Sequence, residues 1–183
     1  MNPKLLLALL LFGFCPTVAQ TPLTALSADK PSPQYQDQLM LFGQFVGVWD
    51  FDGVEYHSDG TRPTDKGEIH FAWVLQGRAI QDVWIERERT DKNALVYGAT
   101  VRFYDPNIDA WRVTWMDPVN CVVSTLIGRK VADEIIIEGK AADGAPTRWI
   151  FSEIKQNSFH WRGEKLVDKT WRIYEELSAR RKK

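Results

Sequence analysis

The sequence predicts an all-β protein, an antiparallel up-and-down β-barrel of about ten strands preceded by one short N-terminal helix. Three observations carry that prediction. Runs of β-branched and aromatic residues recur at even spacing from Val46 onward. The breaks between them hold strong turn residues: Ser58-Asp59-Gly60, Gln76-Gly77-Arg78, Asp105-Pro106-Asn107, Ala142-Asp143-Gly144 and Gln156-Asn157-Ser158. No break is long enough for a parallel crossover. A meander of this length hides its edges best by closing on itself; an open sandwich is the alternative arrangement.

The first residues stand apart from that domain. Lys4 precedes an apolar run, Leu5 to Phe14, which is too short to span a bilayer and suits the core of a signal peptide. Pro16 ends the run, and Thr17-Val18-Ala19 sets small residues before a cleavage point at Gln20. Residues 1–19 are therefore expected to be a signal peptide, which places the mature chain in the periplasm or outside the cell, without a membrane span. The competing readings are an uncleaved anchor and a lipoprotein modified at Cys15, against which the bulky Phe14 stands. Residues 20–33, with Pro22, Pro31 and Pro33, read as a linker, and residues 34–183 as the barrel domain.

Within the domain, Ser32-Pro33 is placed to cap and start a helix whose Tyr35, Leu39, Phe42 and Phe45 share one face. Strands are expected near 46–56, 67–76, 79–89, 96–104, 110–117, 121–129, 132–139, 146–155, 158–165 and 169–178. Several alternate cleanly. Ile69, Phe71, Trp73 and Leu75 share one face, Trp149 and Phe151 another, and Phe159 and Trp161 a third. Trp49, with Phe51 two residues on, reads as a plug at the closed end of the barrel.

Composition narrows the function classes. The chain has 183 residues, 44% of them hydrophobic, which is enough for one domain with a substantial core. Its formal charge is −1, and losing Lys4 with the leader barely changes that, so nucleic acid is not the expected partner. The basic cluster Arg180-Arg181-Lys182-Lys183 reads as a solvated end. Without Cys15, Cys121 has no partner for an internal disulfide, and its run Cys121-Val122-Val123 suggests a buried small hydrophobe. His57, His70 and His160 are not at metal-ligand spacing, so no metal and no cofactor is expected. The sequence has no nucleophile elbow, zinc helix or phosphate loop, and the carboxylate pairs Asp50/Asp52 and Glu86/Glu88 look like solvated strand faces.

One constellation fits a small-molecule pocket. If the third to fifth strands pair in order, Asp82, Trp84, Arg102, Tyr104, Trp111 and Trp115 lie close together. Aromatic walls with a few polar groups suit a small ligand. Arg102 then has two readings: it holds an anionic group of the ligand, or it pairs with Asp82.

Gly47-x-Trp49 after a short helix, leading into an antiparallel meander, resembles the calycin group of lipocalins, fatty-acid-binding proteins and their relatives. Three segments are more closely similar to a bacterial family of exported, calycin-like (lipocalin-like) proteins. They are Trp73-Val-Leu-Gln-Gly77-Arg78 with Asp82 and Trp84; Thr100-x-Arg102-x-Tyr104-Asp105-Pro106 with Trp111 and Trp115; and Lys169-Thr170-Trp171 with Arg180-Arg181. The last hairpin, Leu166-Val167-Asp168-Lys169, is tighter than the Asp-Gly-Gly turn of that family. The resemblance spans nearly the whole mature domain and implies the barrel, but no particular activity. The expected function is an exported barrel that binds a partly apolar small molecule, anionic if Arg102 grips it. Its rivals are a lyase, isomerase or hydratase using the same cavity, with Asp82 as acid or base and Arg102 as clamp, and a structural envelope protein with a filled barrel.

Overall fold

A computed structural model describes residues 25–86 and 98–183. The expected leader with Cys15 and the Gln20 cleavage point, the first part of the linker, and the strand ends at 87–89 and 96–97 with Glu88 lie outside these residues. One short helix, α1 (Gln36–Gly43), precedes ten strands: β1 (Gly47–Glu55), β2 (Thr64–Val74), β3 (Ala79–Glu86), β4 (Gly98–Asp105), β5 (Ala110–Asp117), β6 (Val122–Val131), β7 (Glu134–Lys140), β8 (Pro146–Lys155), β9 (Ser158–Val167) and β10 (Thr170–Arg181). Each strand pairs antiparallel with the next, and β1 pairs with β10, so the sheet closes into a barrel. The all-β, up-and-down architecture read from the turn spacing is the one observed. Among the described strands, closure leaves none at an open edge.

Period-two alternation decides what enters the barrel. Trp49 and Phe51 on β1, Ile69, Phe71 and Trp73 on β2, and Phe159 and Trp161 on β9 are all buried. Helix α1 stoppers one end of the barrel. Its Leu39 and Phe42, and Phe45 just beyond it, are almost wholly buried, and Phe42 meets Trp111 edge-on at 4.8 Å. Ser32 does not cap this helix. Its Oγ accepts a bond from the Gln34 N–H, and the chain turns through a left-handed Tyr35 (φ 60°) before the helix begins. The segment ahead of the helix is pinned to the barrel, with Ala28 donating to the Trp73 carbonyl and Ser32 to that of Gly77.

The basic end of the chain differs from expectation. Strand β10 runs on to Arg181, whose guanidinium lies 4.2 Å over the Trp49 ring. Arg181 also donates to the carbonyls of Gln44 (2.7 Å) and Val46 (2.8 Å), and Trp49 Nε1 donates to that of Phe45 (2.6 Å). These bonds satisfy carbonyls where the chain leaves α1, which is why an arginine here is structural and not simply solvated. Gly47 sits beneath it at φ +131°, where a Cβ would come within 2.7 Å of Arg181 Nη1. Cys121 also departs from expectation. It falls in the turn between β5 and β6 at φ 56° and is exposed, because the turn claims it before the apolar strand begins.

Candidate functional site

Phe42, Phe45, Trp49 and Trp111 pack together at the helix end of the barrel, and the other end is hollow. The hollow is a cavity of about 340 Å³. Four tryptophans from four strands wall it: Trp84 on β3, Trp115 on β5, Trp149 on β8 and Trp161 on β9. They form a closed circuit of ring contacts, with centroid separations of 6.1 Å (Trp84–Trp115), 6.2 Å (Trp115–Trp149), 6.3 Å (Trp149–Trp161) and 5.5 Å (Trp161–Trp84). Mostly tilted and edge-on contacts of this kind are favourable for aromatic quadrupoles, so the ring is self-supporting. Two of its indole N–H groups are already used. Trp84 Nε1 donates to Asp82 (2.8 Å) and Trp149 Nε1 to the Tyr174 hydroxyl (2.8 Å).

Arg102 and Thr100 contribute polar groups to the cavity wall. Arg102 Nη2 bonds Asp82 Oδ1, and both side chains are sealed from solvent. Burial pushes the Asp82 carboxyl up, and its bonds to Arg102, Trp84 and Thr100 pull it back down. Nε and Nη1 of Arg102 have no hydrogen-bond partner among the described residues. The guanidinium rests against aromatic rings instead, with its centre 4.7 Å from the Phe42 centroid and 5.6 Å from that of Phe71. Of the two readings of Arg102, the internal ion pair is present.

The six expected site residues divide in two. Trp84, Arg102 and Trp115 line the cavity, and Asp82 lies behind them in the ion pair. Tyr104 and Trp111 face each other across β4 and β5 on the helix side. Trp111 is buried under Phe42, while Tyr104 packs on Tyr35 and donates to Asp109 (2.6 Å). They share the inward face with Arg102 and Trp115 but stand further toward the plug.

Sequence reasoning missed the far wall, formed by Thr147, Trp149, Trp161, Lys165, Tyr174 and Glu175. Trp149 and Trp161 carried the right alternation, but only closure of the barrel brings β8 and β9 across from β3 and β5. Tyr174 and Glu175 were hidden for another reason. The register of β10 on β9 shifts between Ile173 and Glu175, so two consecutive residues line the cavity where strict alternation allows one. Gly163 makes the room, since a Cβ there would lie 2.4 Å from the Tyr174 ring.

The electrostatics of this wall are uneven. Burial pushes the Tyr174 hydroxyl up to about 12. Burial, with the negative charges of Asp65, Glu55 and Glu86, pushes the Glu175 carboxyl up to about 8. Among the described residues no group of three or more His, Cys, Asp or Glu side chains is arranged to hold a metal ion, and no helix is long and apolar enough to cross a membrane.

The architecture defines a calycin-like, ten-stranded barrel. Among solved structures, the chain superposes on the S-type phycobiliprotein lyase of Guillardia theta with a TM-score of 0.56 at 12% identity, over 82% of this chain and 99% of the lyase. It superposes on Rv2717c of M. tuberculosis with a TM-score of 0.56 at 11% identity, over 84% of this chain and all of that one. At such identities the likeness is one of fold. No protein-family model and no curated protein sequence matches the chain.

Proposed function

We propose that the chain is an exported barrel that holds a partly apolar small molecule in the tryptophan-walled cavity. The observation that carries this reading is the hollow itself. A barrel built only for stability fills its interior, because each void forfeits packing energy. Here about 340 Å³ stays open inside a ring of four large aromatic side chains, within the range of small-ligand pockets. Export to the periplasm or beyond is supported by the leader-like residues 1–19 and Thr17-Val18-Ala19. The calycin-like fold neighbours are consistent with small-molecule binding; one of them is named a lyase. A catalytic use of Asp82 gains no support, because that carboxylate is engaged by Arg102 and Trp84 and is not part of the cavity wall.

The test has two parts. Small molecules extracted from the natively purified full chain are identified by mass spectrometry. The emptied protein is then titrated with N-phenyl-1-naphthylamine, an uncharged fluorescent probe. One saturable site is expected, weakened about tenfold or more by Trp161→Ala, which removes a wall of the cavity. Failure of the probe to saturate would favour the filled, structural barrel.

A further inference from the structure

The cavity has four cationic or anionic groups at or behind its wall, and three of them are already matched. Arg102 is engaged by Asp82, and Lys165 by Asp143. The exception is Glu175. Among the described residues no side chain donates a hydrogen bond to its carboxylate and no cation pairs with it. The charged groups that act on it are Asp65 on β2, Glu55 on β1 and Glu86 on β3, all of like sign. Its neighbour Tyr174 stays neutral, and Arg102 and Lys165 share the cavity wall with it. A carboxylate withdrawn from water beside three others is costly unless something positive arrives.

The walls favour the same kind of visitor. Indole faces carry negative potential and attract organic cations, most strongly when the cation is desolvated. Trp84 and Trp149 have spent their N–H donors on Asp82 and Tyr174, so they offer a ligand π surface and no donor for an anion.

We propose that the ligand of this cavity is an organic cation, whose protonated or quaternary ammonium group sits between the Glu175 carboxylate and the tryptophan ring. This deepens the ligand-holding reading and rests on it. A neutral ligand would use the aromatic walls and leave Glu175 unanswered. An anion would meet the acidic side of the cavity, where the charges of Arg102 and Lys165 are already balanced by Asp82 and Asp143. The expectation of an anionic ligand rested on Arg102, whose charge is balanced by Asp82 although its Nε and Nη1 have no hydrogen-bond partner among the described residues.

At neutral pH the empty site keeps Glu175 largely protonated, so arrival of a permanent cation displaces that proton to solvent. The cation should therefore bind more tightly as pH rises through the range in which Glu175 ionises. His57 pairs with Glu55, one of the carboxylates that act on Glu175, so His57→Gln serves as a control.

The experiment compares phenyltrimethylammonium with its uncharged isostere tert-butylbenzene, and with 4-tert-butylbenzoate, on the full chain by tryptophan emission and calorimetry at pH 6 and pH 9. At pH 9 the cation is expected to bind about tenfold or more tighter than the isostere, and at pH 6 the gap should close to about threefold or less. His57→Gln should retain this pattern. Glu175→Gln should remove the gap at both pH values and leave the isostere unchanged. The wild-type pH comparison stands without that variant if it fails to fold. Equal affinity of cation and isostere at pH 9, or preference for the benzoate, would overturn the cation inference and leave the ligand-holding reading intact. No binding by any of the three would overturn both.

Discussion

Arg102 and Asp82 answer each other inside the barrel, and that pairing governs what substitution at either will do. Removing one partner leaves the other's charge buried, a loss on the order of 3–5 kcal/mol. Arg102→Met alone should therefore destabilise strongly in urea unfolding, and the double change with Asp82→Leu should recover most of the loss. Additive losses would mean that the two side chains act independently. Glu175 makes a prediction of the opposite kind. Its folded-state pKa, about 8, is raised above the ordinary 4.5. The folded chain thus holds a proton that the unfolded chain releases between those values. The associated stability is fully present below about pH 4.5 and is lost as pH rises through about 8. Melting temperatures of wild type and Glu175→Gln should agree near pH 5 and diverge by pH 9, with the variant the more stable. A constant difference across that range would contradict the assignment.

Helix α1 and the end of β10 form one closing device, and the chain shows why its halves were unequally legible. The apolar face of Leu39, Phe42 and Phe45 was readable from helical spacing, and all three are buried. Trp49 was readable as a plug from its place after that helix. The contribution of Arg181 was not, because a cluster of four basic residues at a chain end ordinarily faces water. Only the β1–β10 pairing sets Trp49 opposite Arg181. Trp49→Ala should cost about 3–5 kcal/mol, as expected for a fully buried aromatic, measured by chemical denaturation. A cost below about 0.5 kcal/mol would place Trp49 outside the core and undo the account of this end. The β10 bulge is the other element that sequence periodicity could not supply. Nothing in Ile173-Tyr174-Glu175 announces a broken alternation, and the break decides which carboxylate meets the cavity.

Across the whole molecule, the turn residues and short connections made the closed barrel legible, since each local choice agreed with a single antiparallel meander. The cavity was half legible. Trp84, Arg102 and Trp115 come from strands adjacent in sequence, so assuming sequential pairing was enough to bring them together. Trp149 and Trp161 lie across the hollow, and no local pattern relates them to Trp84. Tyr104 and Trp111 show the limit from the other side. Alternation gives the face of a strand but not the depth at which a plug ends and a cavity begins.

The central claim is that a ligand enters the ring formed by Trp84, Trp115, Trp149 and Trp161. The chain has eight tryptophans, and each indole N–H gives a separate resonance in a nitrogen-15 correlation spectrum. Titrating the labelled protein with N-phenyl-1-naphthylamine tests the claim most directly. The account predicts that the signals of the four ring tryptophans shift together and saturate with one dissociation constant, while those of Trp49 and Trp111 in the sealed end stay in place. Saturable shifts confined to Trp171 or to the sealed end, or no shift at the ring, would contradict it.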